Sequence, residues 1–240
     1  MKAGQYILVS LAVFSCFAAQ PQQRVVDVGK EDTSPMSGLF LVLGGEPISL
    51  ARYVKVVEGT PYFSDGWMLG SLVLPAGKRY DSIRLKIDLL ADEVHYQDRA
   101  GNPLIANNRI REIWLTDSAE KKRYHFVHSS FIGSGTAAAA GWHLLLAEGK
   151  ALLFKKPVKE IMETKPYGSA TTEQHITTAS RYFILYNNTF TTVKSLSSVA
   201  ELLTGNTAEL QQYIGANRLK GKSDADYISL VSYYNSLHVK

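Results

Sequence analysis

The stretch Ser82-Ile83-Arg84-Leu85-Lys86-Ile87-Asp88-Leu89 alternates apolar and polar residues without a break. In an extended chain successive side chains point to opposite faces, so Ile83, Leu85, Ile87 and Leu89 share one face while Ser82, Arg84, Lys86 and Asp88 share the other. A strand with one apolar and one wet face belongs to an antiparallel sheet, because strands of a parallel sheet covered on both sides read as continuous apolar runs. Outward from this stretch, the same short texture predicts strands over residues 53–57, 68–74, 112–116, 124–128, 142–147, 151–155 and 181–186. Pro75-Ala76-Gly77, Gly101-Asn102-Pro103 and Glu148-Gly149 supply turns, the last joining two apolar runs as a hairpin. No helical pattern of useful length intervenes, so βαβ crossovers and a doubly wound sheet are not expected.

After Val193 the period changes. Leu196, Val199, Leu202 and Leu203 predict a short helix stopped by Gly205, and Asn206 precedes a second that carries Leu210, Tyr213 and Ile214. Ser223 caps a third, in which Tyr227, Leu230, Val231 and Tyr234 fall at i, i+3, i+4 and i+7. The expected fold is α+β and mainly β: an antiparallel sheet, as a sandwich or curved half-barrel, over residues 49–192, with C-terminal helices at 193–240 packed on it as a layer.

The chain has 240 residues, 45% hydrophobic and 20% charged, enough to bury a full core and to exclude wholesale disorder. Lys and Arg number 26 against 22 Asp and Glu, a net charge of +4 that is scattered rather than striped, so no nucleic-acid partner is expected. The two short basic runs, Lys121-Lys122-Arg123 and Lys155-Lys156, read as solvated strand ends. Cys16 is the only cysteine, which excludes a catalytic thiol, a zinc-thiolate site or an internal disulfide from the rest of the chain.

Residues 1–19 have the texture of an export signal. Lys2 supplies the positive start, residues 7–17 the apolar core, and Ala18-Ala19 a small-residue exit. This predicts an exported protein of the periplasm or the cell exterior. Val13-Phe14-Ser15-Cys16 is similar to a bacterial lipobox, apart from the bulk of Phe14. Cys16 is accordingly a lipidation candidate, and an outer-membrane lipoprotein is the alternative to simple cleavage. A lipid anchor is the only membrane attachment expected, since no later apolar run is long enough to cross a bilayer. Residues 20–48 read as a flexible lead-in.

The chemical motifs are sparse. Gly133-Ser134-Gly135-Thr136-Ala137-Ala138 has the glycine skeleton of a dinucleotide loop, but Gly141-Trp142 returns the chain to a strand before a helix can form, and no cofactor is expected. His125 and His128 lie three apart in a predicted strand, where they face opposite ways, and no metal site is expected. Asp88, Asp92 and Glu93 cluster with His95 and Tyr96 just past the alternating strand. Paired carboxylates whose environments split their pKa values can do acid/base work, so Asp88, Asp92, Glu93 and His95 are the candidate catalytic residues. Tyr62, Phe63 and Trp67 are the candidate ligand-binding residues, as a stacking surface for a sugar or peptide. No G-x-S-x-G serine motif occurs.

Gly59-Thr60-Pro61-Tyr62, Gly70-Ser71-Leu72-Val73-Leu74 and Ile83-Arg84-Leu85-Lys86-Ile87-Asp88 resemble an uncharacterised family of exported proteins from Bacteroidota. The hairpin Leu144-Leu145-Leu146-Ala147-Glu148-Gly149-Lys150 and Tyr233-Tyr234-Asn235 extend the resemblance over most of the chain. It implies export from a bacterial cell and supplies no reaction. The functional expectation is a non-enzymatic envelope module that binds a protein or small-molecule partner. The alternatives are a carrier of an apolar ligand, with a cavity of roughly 300 Å³ or more under the helices, or a small hydrolase using the carboxylates near Asp88 and Glu93.

Overall fold

The alternating stretch is a strand, Arg79–Asp88, and its partners build outward into one sheet. The computed structural model describes residues 25–27, 43–48, 54–133 and 140–238. The predicted leader with Cys16, most of the lead-in, and most of the small-residue loop after Gly133 lie outside the described residues. The strands are β1 (Val25–Asp27), β2 (Glu46–Pro47), β3 (Val54–Glu58), β4 (Met68–Val73), β5 (Arg79–Asp88), β6 (Glu93–Gln97) and β7 (Pro103–Ile105). They continue with β8 (Glu112–Asp117), β9 (Lys122–His128), β10 (Trp142–Ala147), β11 (Leu152–Thr164), β12 (Thr172–Tyr186) and β13 (Thr189–Val193). Helices α1 (Leu196–Leu202), α2 (Thr207–Ala216) and α3 (Asp224–Ser236) follow. At 45% strand and 18% helix the fold is mainly β, as the alternation implies.

The main path of the sheet runs β13-β12-β11-β10-β9-β8-β4-β5-β6-β7-β2, every neighbouring pair antiparallel, and it does not close into a barrel. Two short strands join it in parallel: β1 on β5, and β3 on the first residues of β12. Residues 20–48 are thus not only a lead-in. Val25–Asp27 and Glu46–Pro47 both pair with the sheet, and strands of two or three residues are too short to show a period.

One face of β4, β5, β6, β8, β9 and β10 carries the first core. Leu72, Ile113, Phe126 and Leu144 stand opposite one another across four strands, beside Leu85 with Tyr96 and Ile87 with Val94. The β4–β5 register shifts between Gly70 and Leu72, and Ser82 takes φ +63°. This bulge inserts a residue, so Tyr80 and Ile83, three apart, both face the core, at 2% and 3% exposed.

The same layer continues under the helices, where Leu153, Ile184, Leu210, Leu230 and Val231 are fully buried. Ser195 closes a capping box on α1 and the Ser223 hydroxyl accepts from the Asp226 N–H at 3.3 Å, whereas Asn206 makes no capping bond to α2. Asn235, at the end of α3, clamps the β10–β11 hairpin. It accepts from Ala151 N–H at 2.9 Å and donates to the carbonyls of Ala151 and Glu148 at 2.9 and 3.0 Å. A Cβ on Gly149 would strike the Asn235 amide, so the close approach needs glycine there. On the opposite face of β10–β13 a smaller core gathers Phe154, Phe183 and Phe190 with Ile132.

Lys121, Lys122 and Arg123 are exposed at the β8–β9 turn, as solvated strand ends should be. Lys155 and Lys156 are not strand ends. They lie inside β11, half-buried, where Lys155 pairs with Asp224 at 2.9 Å and Lys156 donates to the Ala140 carbonyl.

Candidate functional site

Three connections meet and line a half-open cavity of about 150 Å³. The β5–β6 turn brings Asp92 and Glu93, the β7–β8 connection brings Arg109, and the β9–β10 connection brings His128 and Phe131, with Trp142 opening β10. Val94, Ala106 and Ile110 supply the apolar wall.

His128 ends β9 and caps the single 3₁₀ turn Ser129–Phe131. Its Nδ1 accepts from the backbone N–H of Ser130 at 3.4 Å, which leaves the proton of the neutral ring on Nε2, 3.2 Å from Asp92 Oδ2. The Ser130 hydroxyl lies 2.7 Å from Nδ1 and donates to it, so Ser130, His128 and Asp92 form a hydrogen-bonded chain at the mouth of the cavity. The His128 and Asp92 side chains are 25% and 44% exposed. Trp142 is the cross-strand partner of His128, and their rings meet edge to face at 5.1 Å.

The supports of this chain are themselves hydrogen-bonded and closely packed. Asp92 adopts φ +59°, a left-handed conformation that Asp tolerates, and its carboxylate lies over Gly141, where a Cβ would sit 3.0 Å from Oδ1. Gly141 is fixed in turn by the buried Ser129, through Ser129 N–H to the Gly141 carbonyl at 3.0 Å and Gly141 N–H to the Ser129 hydroxyl at 3.1 Å. His143 donates from Nδ1 to that carbonyl at 3.0 Å and leaves Nε2 bare among Phe154, Phe183 and Phe190. Burial pushes the His143 pKa down to about 4, so the ring is neutral at pH 7. Burial also lowers the pKa of Lys156, against the pull of Asp92 nearby.

Two donors of residues around the cavity have no hydrogen-bond acceptor among the described residues, one sealed inside the fold and one open to solvent. The indole N–H of Trp142, a residue only 4% exposed, finds no acceptor. The Arg109 guanidinium makes no ion pair and rests 5.7 Å from the centre of the Phe131 ring.

The chain matches no protein-family model, no curated protein and no solved structure.

The predicted carboxylate cluster divides. Asp88 is buried and turns inward on its own backbone, accepting from the N–H groups of Leu90 and Ala91 at 2.9 Å, and so shapes the turn that presents Asp92. Glu93 faces the cavity and holds His95 Nε2 at 3.1 Å, while His95 itself is buried behind it against Tyr62. Asp92 leaves this group for His128. The predicted aromatic surface divides too. Phe63 packs edge to face on Tyr124 and Phe126 in the first core, while Tyr62 and Trp67 hold the Lys86 ammonium at 4.4 and 5.4 Å. Burial, then the charges of Asp88 and Glu93, raise the Tyr62 pKa, so this phenol stays protonated. His125 is satisfied elsewhere, stacked on Trp114 at 4.1 Å and bonded to Glu112 at 3.1 Å. Its bond, with burial opposing and Arg111 assisting, holds Glu112 below the usual carboxylate range. Arg109, Ser130, Phe131 and Trp142 carried no motif. Only the register of β9 against β10, invisible in one sequence, brings Trp142 to His128.

Proposed function

We propose that this chain is an exported envelope protein that binds a small ligand, or the end of a larger one, in the cavity between Asp92, Arg109, His128 and Trp142, without transforming it. The observation that carries the reading is the cavity itself, whose lining sets the Arg109 guanidinium, with no ion pair among the described residues, together with the Asp92 and Glu93 carboxylates and the aromatic rings of Phe131 and Trp142. The helical layer rests on a packed core, with Leu153, Ile184 and Leu230 fully buried, so the ligand belongs to this cavity rather than beneath the helices. Export rests on the leader, and its test is combined with that of binding. Native mass spectrometry of the protein from its own cell envelope is expected to show a chain shortened by the leader, carrying a small non-covalent adduct that is absent from a D92A/R109A variant. An adduct retained by that variant sinks the reading, and a mass beginning at acylated Cys16 makes the protein a lipoprotein.

A second reading, hydrolysis, is favoured by one observation, the chain Ser130–His128–Asp92. In it, Ser130 Oγ would attack an ester carbonyl and pass its proton to His128 Nδ1, with Asp92 steadying the imidazolium through Nε2–H. The alcohol would leave with that proton, and water would release the acid. This moves the hydrolase idea from the carboxylates at Asp88 and Glu93 to Asp92 alone. Covalent labelling by a fluorophosphonate that disappears in S130A would establish it in place of pure binding.

A further inference from the structure

We infer that two copies of this chain associate through the outer edge of β11, strand to strand and antiparallel, with Ile161 of each copy opposite Ile161 of the other. β11 pairs with β12 over its whole length, from Leu152 against Leu185 to Thr164 against Glu173, with no register shift. On its other side β10 reaches only Leu153, Phe154 and Lys155. Past Lys155 no described strand pairs with that side, and among the described residues no backbone hydrogen bond beyond those to β12 reaches residues 156–164. Residues 160–164, Ile161 and Met162 among them, are all exposed. A strand with a neighbour on one side only turns alternate N–H and C=O groups outward, where they template a further strand. Neither a bulge nor a proline interrupts residues 158–164. The free side of β3 is the poorer template, because a register shift beside Gln174 and His175 breaks its short pairing with β12.

The charges on this edge match a second copy of it. A two-fold axis normal to the sheet makes the paired strands antiparallel and keeps each face, so the residue on the axis defines the register. With Ile161 there, Lys159 of each copy stands opposite Glu163 of the other, on the face that carries Ile161. Two opposite-charge pairs then flank an aliphatic one, and on the other face Glu160 meets Met162 and Val158 meets Thr164. An axis on Lys159, Glu160 or Glu163 sets like charges against each other, and one on Met162 sets Lys159 against Lys165. Within one chain these charges have only neutral cross-strand partners. Lys159 donates to the Thr178 hydroxyl at 3.0 Å, and Glu163 accepts from the Gln174 amide at 2.7 Å. Asp65 and Asp88 act on Lys159 from beyond ion-pair distance.

The test is sedimentation velocity on the full chain, loaded from roughly 1 µM to 1 mM, together with cysteine cross-linking. We expect monomer at the low end to give way to dimer at the high end. E163K should weaken the dimer by about tenfold or more, since each dimer holds the pair twice, and K159E/E163K, which exchanges the signs, should recover it. In a C16S background, I161C should form an interchain disulfide on mild oxidation, because opposed Cα atoms of antiparallel strands lie about 4.5–5.5 Å apart, within disulfide reach. T164C, away from the axis, should not. The cross-link reads the register without touching a charge and serves even if K159E perturbs folding. A chain that stays monomeric to the top of the range overturns the inference, as does a dimer indifferent to E163K. A K159E/E163K variant that folds yet stays monomeric, or a dimer cross-linked by T164C and not by I161C, overturns it equally.

Discussion

The helix-backed half of the sheet and the cavity region treat their polar groups differently. Under the helices, Asn235 makes three bonds to the β10–β11 hairpin, and Asp224 accepts from Lys155 at 2.9 Å and from the Tyr182 hydroxyl at 2.5 Å. Burial raises the Asp224 pKa, but these two partners outweigh it and the carboxyl stays below its usual range. At the cavity, Arg109 is exposed and makes no ion pair among the described residues, and the Asp92 and Glu93 side chains are 44% and 41% exposed, while sealed unpartnered atoms occur in both regions, Trp142 Nε1 in one and Tyr234 Oη in the other. Polar groups satisfied inside the fold stabilise it, and polar groups left open at a cleft remain available to a ligand. The two regions meet on β10 and β11, and each can be damaged without the other.

Substitutions that widen or erase this contrast rank by size. The largest effect belongs to N235A, which leaves the Ala151 N–H and two carbonyls without partners in the interior. Urea denaturation is expected to show a loss of about 4 kcal/mol with ligand binding at the cavity unchanged, and a loss below about 1 kcal/mol would mean that the clamp is incidental.

Next comes acid. His143 folds with a pKa of about 4 against an ordinary 6.5, so the unfolded chain takes up a proton first as pH falls. Its contribution is whole above pH 6.5, declines between 6.5 and 4, and is lost below, a total of about 3 kcal/mol. H143L should flatten that part of the stability–pH curve, and an unchanged slope would assign the acid sensitivity to other groups. A smaller step separates two helix starts. S223A removes a capping bond and should cost about 1 kcal/mol, while N206A, where none exists, should cost less than about 0.5 kcal/mol. The smallest effect on stability is that of R109Q, within about 0.5 kcal/mol by thermal melting, although it weakens ligand binding.

The alternation at residues 82–89 and the helical stripes were legible because one face of each is buried, and burial is what a period records. Tyr227, Leu230, Val231 and Tyr234 all lie in the core. Strands β11 and β12 extend well beyond the predicted 151–155 and 181–186, since their outer halves are largely wet on both faces and carry no period. Strand β6 was hidden behind its own acidic start, and β7, three residues long, is too short to register. The site was half legible. Asp92 and Glu93 stand out as acids beside the best strand, but His128 is 36 residues from Asp92, and only the folded sheet brings them together.

The parallel pairing of β3 with β12 has a consequence for how the molecule is made. Its register joins Glu58 to His175, 117 residues later. Ribosomes deliver the amino end first, so β3 has no hydrogen-bonding strand until the β11–β12 hairpin has been synthesised. Closing so long a loop slows folding. Meanwhile Val56 and Val57, 42% and 47% exposed even in the finished fold, remain on an open edge of the kind that recruits other chains. The hairpin is thus the latch that covers this edge.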